Sequence, residues 1–265
     1  MMARVSRNVW TYSTTGQRKK TGRKELSPRF ALSASEAILE VCQTLVAEHP
    51  SVRLQTHFNE NAREIDEIGR LFPWAADYLA VYERFHLTGR RAVLAHSVHS
   101  SPSEIERLAE SGTAVAHCPS SNAALGSGIF PMRRHLEAGV PIALGTDVAG
   151  GTGFGMLKEA LQAYLCQRLL GGSGFHLAPE HLLYLATRAG AEALGLEQEV
   201  GDFLPGKSAD FVYLRPPEGS SLQTVAAHAE SAGHLLASIV TLAGAECVQE
   251  TWVAGSRVFA KPAVD

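Results

Sequence analysis

The chain has 265 residues, of which 45% are hydrophobic, so it is long enough to bury a substantial core. Its net charge of −3 argues against a nucleic-acid partner, because a surface that follows phosphates needs a clear excess of basic residues. No apolar run approaches the ~20 residues that span a bilayer, so we expect a soluble protein with no membrane partner.

The four cysteines are scattered through the chain, with no C-x-x-C spacing among them. This pattern is typical of reduced, buried thiols in a cytoplasmic protein. It indicates neither a disulfide framework nor a zinc site made of thiolates.

Residues 1–25 differ from the rest of the chain. They contain seven Lys or Arg residues against a single Glu, and they have no apolar periodicity. We expect a disordered basic segment. An organelle transit peptide, which is also basic and poor in acids, is a second interpretation, and an anomalous start of the coding sequence is a third.

From Leu26 onward, helices and strands are predicted to alternate. The "SASE" segment at 33–36 has the spacing of a helix capping box, and the helix that it begins is followed by a strand at 52–56. Two helices are then predicted at 62–71 and 74–85.

The alternation continues with near-continuous apolar strands and with helices that end in glycine. The strands are predicted at 92–95, 113–117 and 140–144, and the helices at 102–112, before Gly139 and at 155–170, with one or two more helices within 178–196. Such alternation predicts parallel βαβ units whose strands are buried on both faces.

After about Leu196 the pattern changes to short alternating β segments joined by Gly and Pro turns, as in "GDFLPGKSADFVYL" and "CVQETWVAGSRVFA". We therefore divide the chain into a basic segment at 1–25, an α/β portion at 26–196 and a closing segment with β strands at 197–265. The closing strands are too few for an independent domain, so we expect them to pair with something else.

Four successive strands are followed by residues of the types that bind metals. These residues are His57, His96, His117 and Asp147. In parallel α/β proteins, ligands bind at the carboxyl ends of the strands. Imidazole and carboxylate groups together suit zinc, and also iron, with an open position for water.

Two of the nearby residues have more than one interpretation. Glu60 follows His57 by three positions and can serve as a proton carrier, although a surface carboxylate at a helix start is the alternative. His117 precedes "CPSSN", whose residue types favour a tight turn, so His117 can also serve only to brace that loop. We interpret the other histidines as structural or exposed.

The segments "THFNEN", "LAHS", "AHCPSSN" and "LGTDVAGG" resemble, in order and spacing, the second half of the catalytic barrel of the amidohydrolase superfamily. Within that superfamily, "SPRFALSAS" and "LATRAGAEALGL" are most similar to the guanine deaminase branch. The resemblance covers about residues 26–260. It implies part of a (β/α)8 TIM-like barrel, its C-terminal half, followed by strands of a small β-sandwich.

The resemblance also implies roles for individual residues. His57 would be a metal ligand, and Asp147 both a metal ligand and a proton acceptor from the attacking water. His96 would hydrogen-bond the nucleophile or the substrate, and Glu60 would be the proton shuttle. Arg29 and Phe30 match the purine contacts of the branch, where a guanidinium donates to a ring carbonyl and an aromatic face stacks on the base.

The implied reaction is metal-dependent hydrolytic deamination of a free guanine base to xanthine and ammonia, a step of purine catabolism. Water attacks the carbon that bears the exocyclic amine, a tetrahedral intermediate forms, Glu60 relays a proton and ammonia leaves. The implied substrate-binding set is Arg29, Phe30, His57, Glu60, His96 and Asp147. A homodimer is implied as well.

The sequence departs from the superfamily in one respect, because it contains no H-x-H pair, which supplies two metal ligands from the first barrel strand. Only His57 and Asp147 match the usual ligand set. We therefore expect an open sheet, weak zinc binding and little deaminase activity, as in a carboxy-terminal piece of a longer enzyme. Two alternatives are an aminohydrolase acting on another base or a triazine-type substrate, and a non-catalytic relative that binds partners through its open edge.

Overall fold

The structure, a computed structural model, describes residues 10–11 and 25–262, and its centre is a six-stranded sheet whose strand order follows the chain. The strands are β1 (Trp10–Thr11), β2 (Glu25–Leu26), β3 (Arg53–Phe58), β4 (Ala92–His96), β5 (Ala114–His117) and β6 (Ile142–Leu144). Strands β2 to β6 are parallel, and β1 is antiparallel to β2. The predicted α/β class with a parallel sheet is confirmed.

Three residues of the basic segment are described, and all three lie in strands: Trp10 and Thr11 form β1, and Glu25 begins β2. The prediction of disorder is wrong for these residues, because their backbones pair within the sheet. For the rest of the segment, which lies outside the described residues, disorder and the transit-peptide interpretation remain predictions. Within the described ranges, no helix has both the length and the apolar character needed to cross a membrane. The four cysteines form no disulfide, and three of them, Cys42, Cys118 and Cys247, are buried.

Helices connect the strands and cover the sheet. They are α1 (Glu36–Glu48), α2 (Ala62–Leu71), α3 (Tyr78–Arg84), α4 (Pro102–Ser111), α5 (Pro119–Ala124), α6 (Met132–Ala138), α7 (Met156–Leu169), α8 (Pro179–Ala186) and α9 (Arg188–Ala193). Helix α4 has a complete capping box between Ser101 and Glu104. It ends at Gly112, whose left-handed conformation strains any residue with a Cβ.

Two helix starts differ from the prediction, because a side chain closer to the helix supplies the cap. Ser35, rather than Ser33, accepts the hydrogen bond from the Ile38 amide, so α1 begins at Glu36. Asp77 caps the Ala80 amide in the same way, so α3 begins at Tyr78 and is shorter than the predicted 74–85.

The closing segment contains a three-stranded antiparallel sheet of β7 (Phe211–Leu214), β8 (Val248–Val253) and β9 (Ser256–Ala260). Between β7 and β8 lie two helices that the sequence pattern did not predict, α10 (Ser221–Ala227) and α11 (Ala232–Leu242). Helix α11 packs against α7 and α8. The chain therefore returns to the α/β portion before it completes the small sheet.

The main core lies between the sheet and its helices. Phe58, Leu94 and Leu108 are fully buried there, together with Tyr78 and Tyr82 of α3. Burying each apolar side chain of this size stabilises the fold by about 1.5–3 kcal/mol. The opposite face of β3 and β4 is only partly covered, because their burial alternates from residue to residue. In a closed parallel barrel both faces of a strand are covered, so this alternation fits the expected partial barrel.

Two buried histidines, His117 and His135, make the stability of the chain depend on pH. Burial, with the neighbouring His135 and His96, lowers the pKa of His117 to about 3, and burial lowers that of His135 to about 4. Both stay neutral in the folded chain below pH 6.5, where an unfolded chain binds protons at these positions. The free energy of unfolding therefore falls as the pH is lowered. The raised pKa values of His57, Glu25 and Glu64 act in the opposite direction and offset part of this fall.

We expect the free energy of unfolding to fall by on the order of 2–3 kcal/mol between pH 7 and pH 5. Urea denaturation of the metal-free chain at pH 7, 6 and 5 measures this change. The variant His117→Leu should show a shallower dependence on pH, since one of the two neutral imidazoles is gone. A stability that rises toward pH 5 in the unchanged chain would contradict the prediction.

Candidate active site

The pairing of the parallel strands determines which strand-end side chains share a face of the sheet. His57 pairs with Ala95, and the next residue, Phe58, pairs with His96. One row across the sheet is therefore His57, Ala95, Ala116 and Ala143. His96 and His117 each come one residue after this row on their own strands. Since side chains alternate along a strand, regular pleating would place His57 and His96 on opposite faces.

The backbone at the end of β4 departs from regular pleating. His96 and Ser97 have positive φ angles of 76° and 52°, which non-glycine residues rarely adopt. The His96 ring consequently stacks on the His57 ring, with 5.2 Å between their centroids. His117 has no such turn, and its ring stacks on Phe130 at 4.7 Å instead. His117 thus lies apart from His57, although both follow strands.

His57, His96 and Asp147 form one cluster. His57 Nε2 lies 3.7 Å from Asp147 Oδ1, and His96 Nε2 lies 3.9 Å from Asp147 Oδ2. One nitrogen or oxygen atom from each of the three residues lies within 4.8 Å of the other two. Asp147 comes three residues after β6 and has a φ of 42°, so it too depends on an unusual backbone conformation.

Glu60 borders the cluster. Its Oε2 atom lies 3.8 Å from His96 Nε2, and its Oε1 atom accepts a hydrogen bond from Ser127 Oγ at 3.0 Å. Glu60 is 9% exposed, so it is not the surface carboxylate that the alternative interpretation required. A largely buried carboxylate next to the cluster can exchange protons with a group bound there.

The hydrogen bonds of the two imidazoles direct their Nε2 atoms toward this cluster. His57 Nδ1 bonds to the Arg29 carbonyl and His96 Nδ1 to Asn122 Oδ1, both at 2.8 Å. An imidazole that donates from Nδ1 presents a lone pair at Nε2. His96 Nε2 is buried without a hydrogen-bond partner.

This set of groups fits a metal ion. Two nitrogen atoms with lone pairs and two carboxylates face one another at 3.7–3.9 Å, which is longer than a hydrogen bond. A cation between them would satisfy the buried nitrogen and neutralise the carboxylates. Neutral imidazoles oriented through their other nitrogen, together with a carboxylate, are ligands that zinc prefers.

The charges of the cluster shift the pKa values of His57 and Asp147 in opposite directions. Burial alone would lower the pKa of His57, but the Asp147 carboxylate and the Arg29 carbonyl outweigh burial and raise it. The pKa of Asp147 is lowered: burial acts to raise it, while His57 and the Ser121 hydroxyl stabilise the ionised form. His57 and Asp147 are therefore electrostatically paired in the metal-free chain.

The "PSSN" segment is the first turn of helix α5 and not the separate tight turn that the sequence favoured. It supports the cluster, a role that the sequence pattern did not reveal. Ser121 Oγ donates to Asp147 Oδ2 at 2.6 Å, and Asn122 orients His96 as described above. Ser120 donates from both its amide and its hydroxyl to the buried Glu159. The sequence predicted a turn with polar caps here. Its signal was three polar residues in succession, and only the fold shows which group each one contacts.

The loop "GTDVAGG" requires glycine at position 150, because side-chain atoms of Asp147 and Ser121 lie close to the backbone there. A Cβ at this position would lie 2.6 Å from Asp147 Oδ2 and 2.8 Å from Ser121 Oγ. The amides of Gly150 and Gly151 both donate to the Asp147 carbonyl. Glycine therefore permits the loop to fold tightly against the carboxylate.

Arg29 and Phe30 lie beside His57. The Phe30 ring centroid is 5.6 Å from that of His57, and Arg29 Cζ is 5.4 Å from the Phe30 centroid. Arg29 has a φ of 68°, a conformation that costs an ordinary residue about 1–3 kcal/mol. A guanidinium and an aromatic ring thus border the cluster on the β3 side.

Comparison with known proteins is consistent with this geometry. The sequence profile of the Amidohydrolase family matches residues 5–258, and the match begins inside the basic segment. The chain is 57% identical over 238 residues to a protein of Deinococcus radiodurans named "Probable guanine deaminase", covering 90% of this chain and 54% of that protein.

Two solved structures are also similar. The guanine deaminase of E. coli superimposes with a TM-score of 0.87 at 36% identity, over 92% of this chain and 57% of that one. The guanine deaminase of C. acetobutylicum, solved with guanine bound in its active site, gives a TM-score of 0.79 at 26% identity, over 88% of this chain and 54% of that one.

The chain therefore spans about half the length of the relatives that it matches. The family profile nevertheless covers nearly the whole chain, and the sheet, the strand-end cluster and the 57% identity agree with it. This chain belongs to the amidohydrolase family.

Proposed function

We propose that the site serves the metal-dependent hydrolysis of guanine to xanthine and ammonia. The observation that carries the proposal is the convergence of His57, His96 and Asp147, with Glu60 beside them and with Arg29 and Phe30 at the rim. The 57% identity to the Deinococcus radiodurans protein supports guanine as the substrate.

In this proposal His57 and Asp147 hold the metal ion, with His96 Nε2 close enough to contribute. Zinc suits these nitrogen and oxygen donors, and iron is the alternative. When bound, such an ion supplies hydroxide at neutral pH. The chain's part is to orient the imidazoles through Arg29 and Asn122 and to keep the carboxylate of Asp147 ionised.

Glu60 and Asp147 handle the protons. Asp147 accepts a proton from the attacking water, and Glu60 carries one to the amine that leaves as ammonia. The hydroxyl of Ser127 holds Glu60 Oε1, which leaves Oε2 directed at His96. This arrangement matches the need of general acid–base catalysis for a fixed carboxylate close to the reacting atoms.

Arg29 and Phe30 bind the base. The guanidinium donates to the ring carbonyl that distinguishes guanine from adenine, and the phenyl ring stacks on the purine. The guanine bound to the relative from C. acetobutylicum supports a free base as the ligand. Cysteines without disulfides support a cytoplasmic location. A homodimer is part of the same proposal.

A panel of bases tests the proposal. The purified chain, in excess zinc, is incubated with guanine, adenine, cytosine, 8-oxoguanine and an amino-triazine, and ammonia and the deaminated product are measured. We expect guanine to be converted fastest, at a low absolute rate because the chain lacks the H-x-H pair. Metal-free protein in a chelator is the blank.

Two results would favour the alternatives. Faster release of ammonia from another member of the panel would identify a different aminohydrolase. A zinc-bound chain that releases no ammonia from any of them would support a non-catalytic relative.

A further inference from the structure

We infer that the buried hydroxyl of Tyr82 is a positioning group that locks the base-contact loop, residues 29–31, against the strand that carries His57. The inference rests on the proposed function, because it assigns a task to this loop in binding the base. It concerns a residue of α3, whose position in the sequence gives no indication of a link to the site.

The base-contact loop is joined to β3 through one carbonyl group. The Arg29 carbonyl accepts hydrogen bonds from the His57 amide at 2.9 Å, from His57 Nδ1 at 2.8 Å and from Thr56 Oγ1 at 2.8 Å. The same atom therefore fixes the loop and the imidazole. A movement of the loop would therefore displace the His57 imidazole.

Tyr82 joins the loop to β3 at a second point, at Ala31 of the loop. Its hydroxyl accepts a hydrogen bond from the Ala31 amide at 3.0 Å and donates to the His57 carbonyl at 2.8 Å. One oxygen atom thus bridges the backbone of the loop and the backbone of the strand. The hydroxyl is the tip of a side chain from α3, which contributes no atom to the cluster itself.

The neighbouring hydroxyl groups determine the acceptor to which the Tyr82 hydroxyl donates. Thr56 donates its proton to the Arg29 carbonyl, and Tyr78 donates its proton to Glu64 Oε1 at 2.7 Å. Neither hydroxyl has a second proton to give to Tyr82, although they lie 3.1 and 3.4 Å from it. The single proton of Tyr82 is therefore directed to its nearest acceptor, the His57 carbonyl.

The same network reaches the proton shuttle. Glu64 accepts from Tyr78 through Oε1 and from the Glu60 amide through Oε2, at 3.1 Å. Tyr82 and Ala31 are fully buried, so water does not reach the hydroxyl to replace it. The loop, the His57 strand and the Glu60 backbone are consequently linked by buried hydrogen bonds that water does not replace.

The test is the variant Tyr82→Phe, which removes the oxygen atom and keeps the ring in the core. Its matched control is Tyr184→Phe, because Tyr184 lies on α8, is 45% exposed, and bonds to Glu192 away from the site. For both variants and the unchanged chain, guanine and zinc affinities are measured by calorimetry, and KM and kcat with excess zinc.

We expect Tyr82→Phe to raise both the dissociation constant and the KM for guanine about tenfold. The Ala31 amide and the His57 carbonyl lose their partner, and the loop is no longer held in place against β3. The kcat and the zinc affinity should change much less, since His57 keeps its bonds to Arg29. The control should match the unchanged chain. Should Tyr82→Phe fail to fold, Thr56→Val removes the adjoining bond to Arg29 and should act in the same direction.

A lower stability of Tyr82→Phe with an unchanged KM and guanine affinity would overturn the inference, since it would show a structural role only. An unchanged chain that binds no guanine at all would overturn the proposed function as well. The two failures are distinguishable, because only the second affects the unchanged chain.

Discussion

Replacing Glu60 with glutamine is expected to lower guanine deamination by about 10²- to 10⁴-fold, the usual contribution of a positioned proton carrier. Glutamine preserves the size of the side chain and can still accept from Ser127, but it carries no exchangeable carboxyl proton. The carboxylate lies 3.8 Å from His96 Nε2, so its loss removes the proton path next to the cluster. The measurement is xanthine formation by the zinc-loaded chain.

The effect should be confined to catalysis. Zinc affinity and the free energy of unfolding of Glu60→Gln should stay close to those of the unchanged chain. Glu67→Gln is the matched control, because this carboxylate lies on α2 and forms an exposed ion pair with Arg70. A parallel loss of zinc binding in Glu60→Gln would show that Glu60 is a ligand instead of a proton carrier.

Replacing Asp147 with asparagine is expected to weaken zinc binding by at least about tenfold to a hundredfold, the range that even supporting residues of metal sites show. Asparagine keeps an oxygen atom for Ser121 but loses the negative charge that faces both imidazoles. The rate of deamination should fall further than the fraction of chain that binds zinc, because the proton acceptor is lost as well. Zinc titration against a competing chelator measures the affinity.

The matched control for this variant is Asp66→Asn, since Asp66 is exposed on α2 and belongs to no cluster with His57. It removes the same charge from the chain as a whole. Zinc binding by Asp147→Asn that equals that of the unchanged chain would remove Asp147 from the ligand set. The proposed site would then lose its only carboxylate ligand.

Much of the fold could be predicted from local patterns. The parallel strands β3 to β6 were placed to within about two residues at each end, whereas the two-residue strand β2 was not predicted. Helix α4 begins at Pro102 and is capped by Gly112, as the sequence indicated. Helices α10 and α11 were missed, because short β segments on either side dominated the pattern.

The candidate site was only partly predictable, for a geometric reason. The sequence places His57, His96 and His117 at successive strand ends, and by type alone they are equivalent. In the sheet, however, His96 and His117 each come one residue after the row that contains His57, so regular pleating directs their side chains to the other face. The positive φ angles at His96 and Ser97 bring one of them back to His57, and the regular backbone at His117 leaves the other on Phe130.

The sequence by itself determined the class of fold, the edge of the sheet that carries the candidate site and the residue types available there. It did so because helix caps, apolar periodicity and strand-end positions are local properties of the chain. Only the tertiary structure decided which of those residues meet, and that Ser121, Asn122 and Tyr82 hold them. The face of the sheet on which a side chain lies, the backbone turns and the hydrogen bonds between distant segments are set only once the strands are paired and the helices are packed on the sheet.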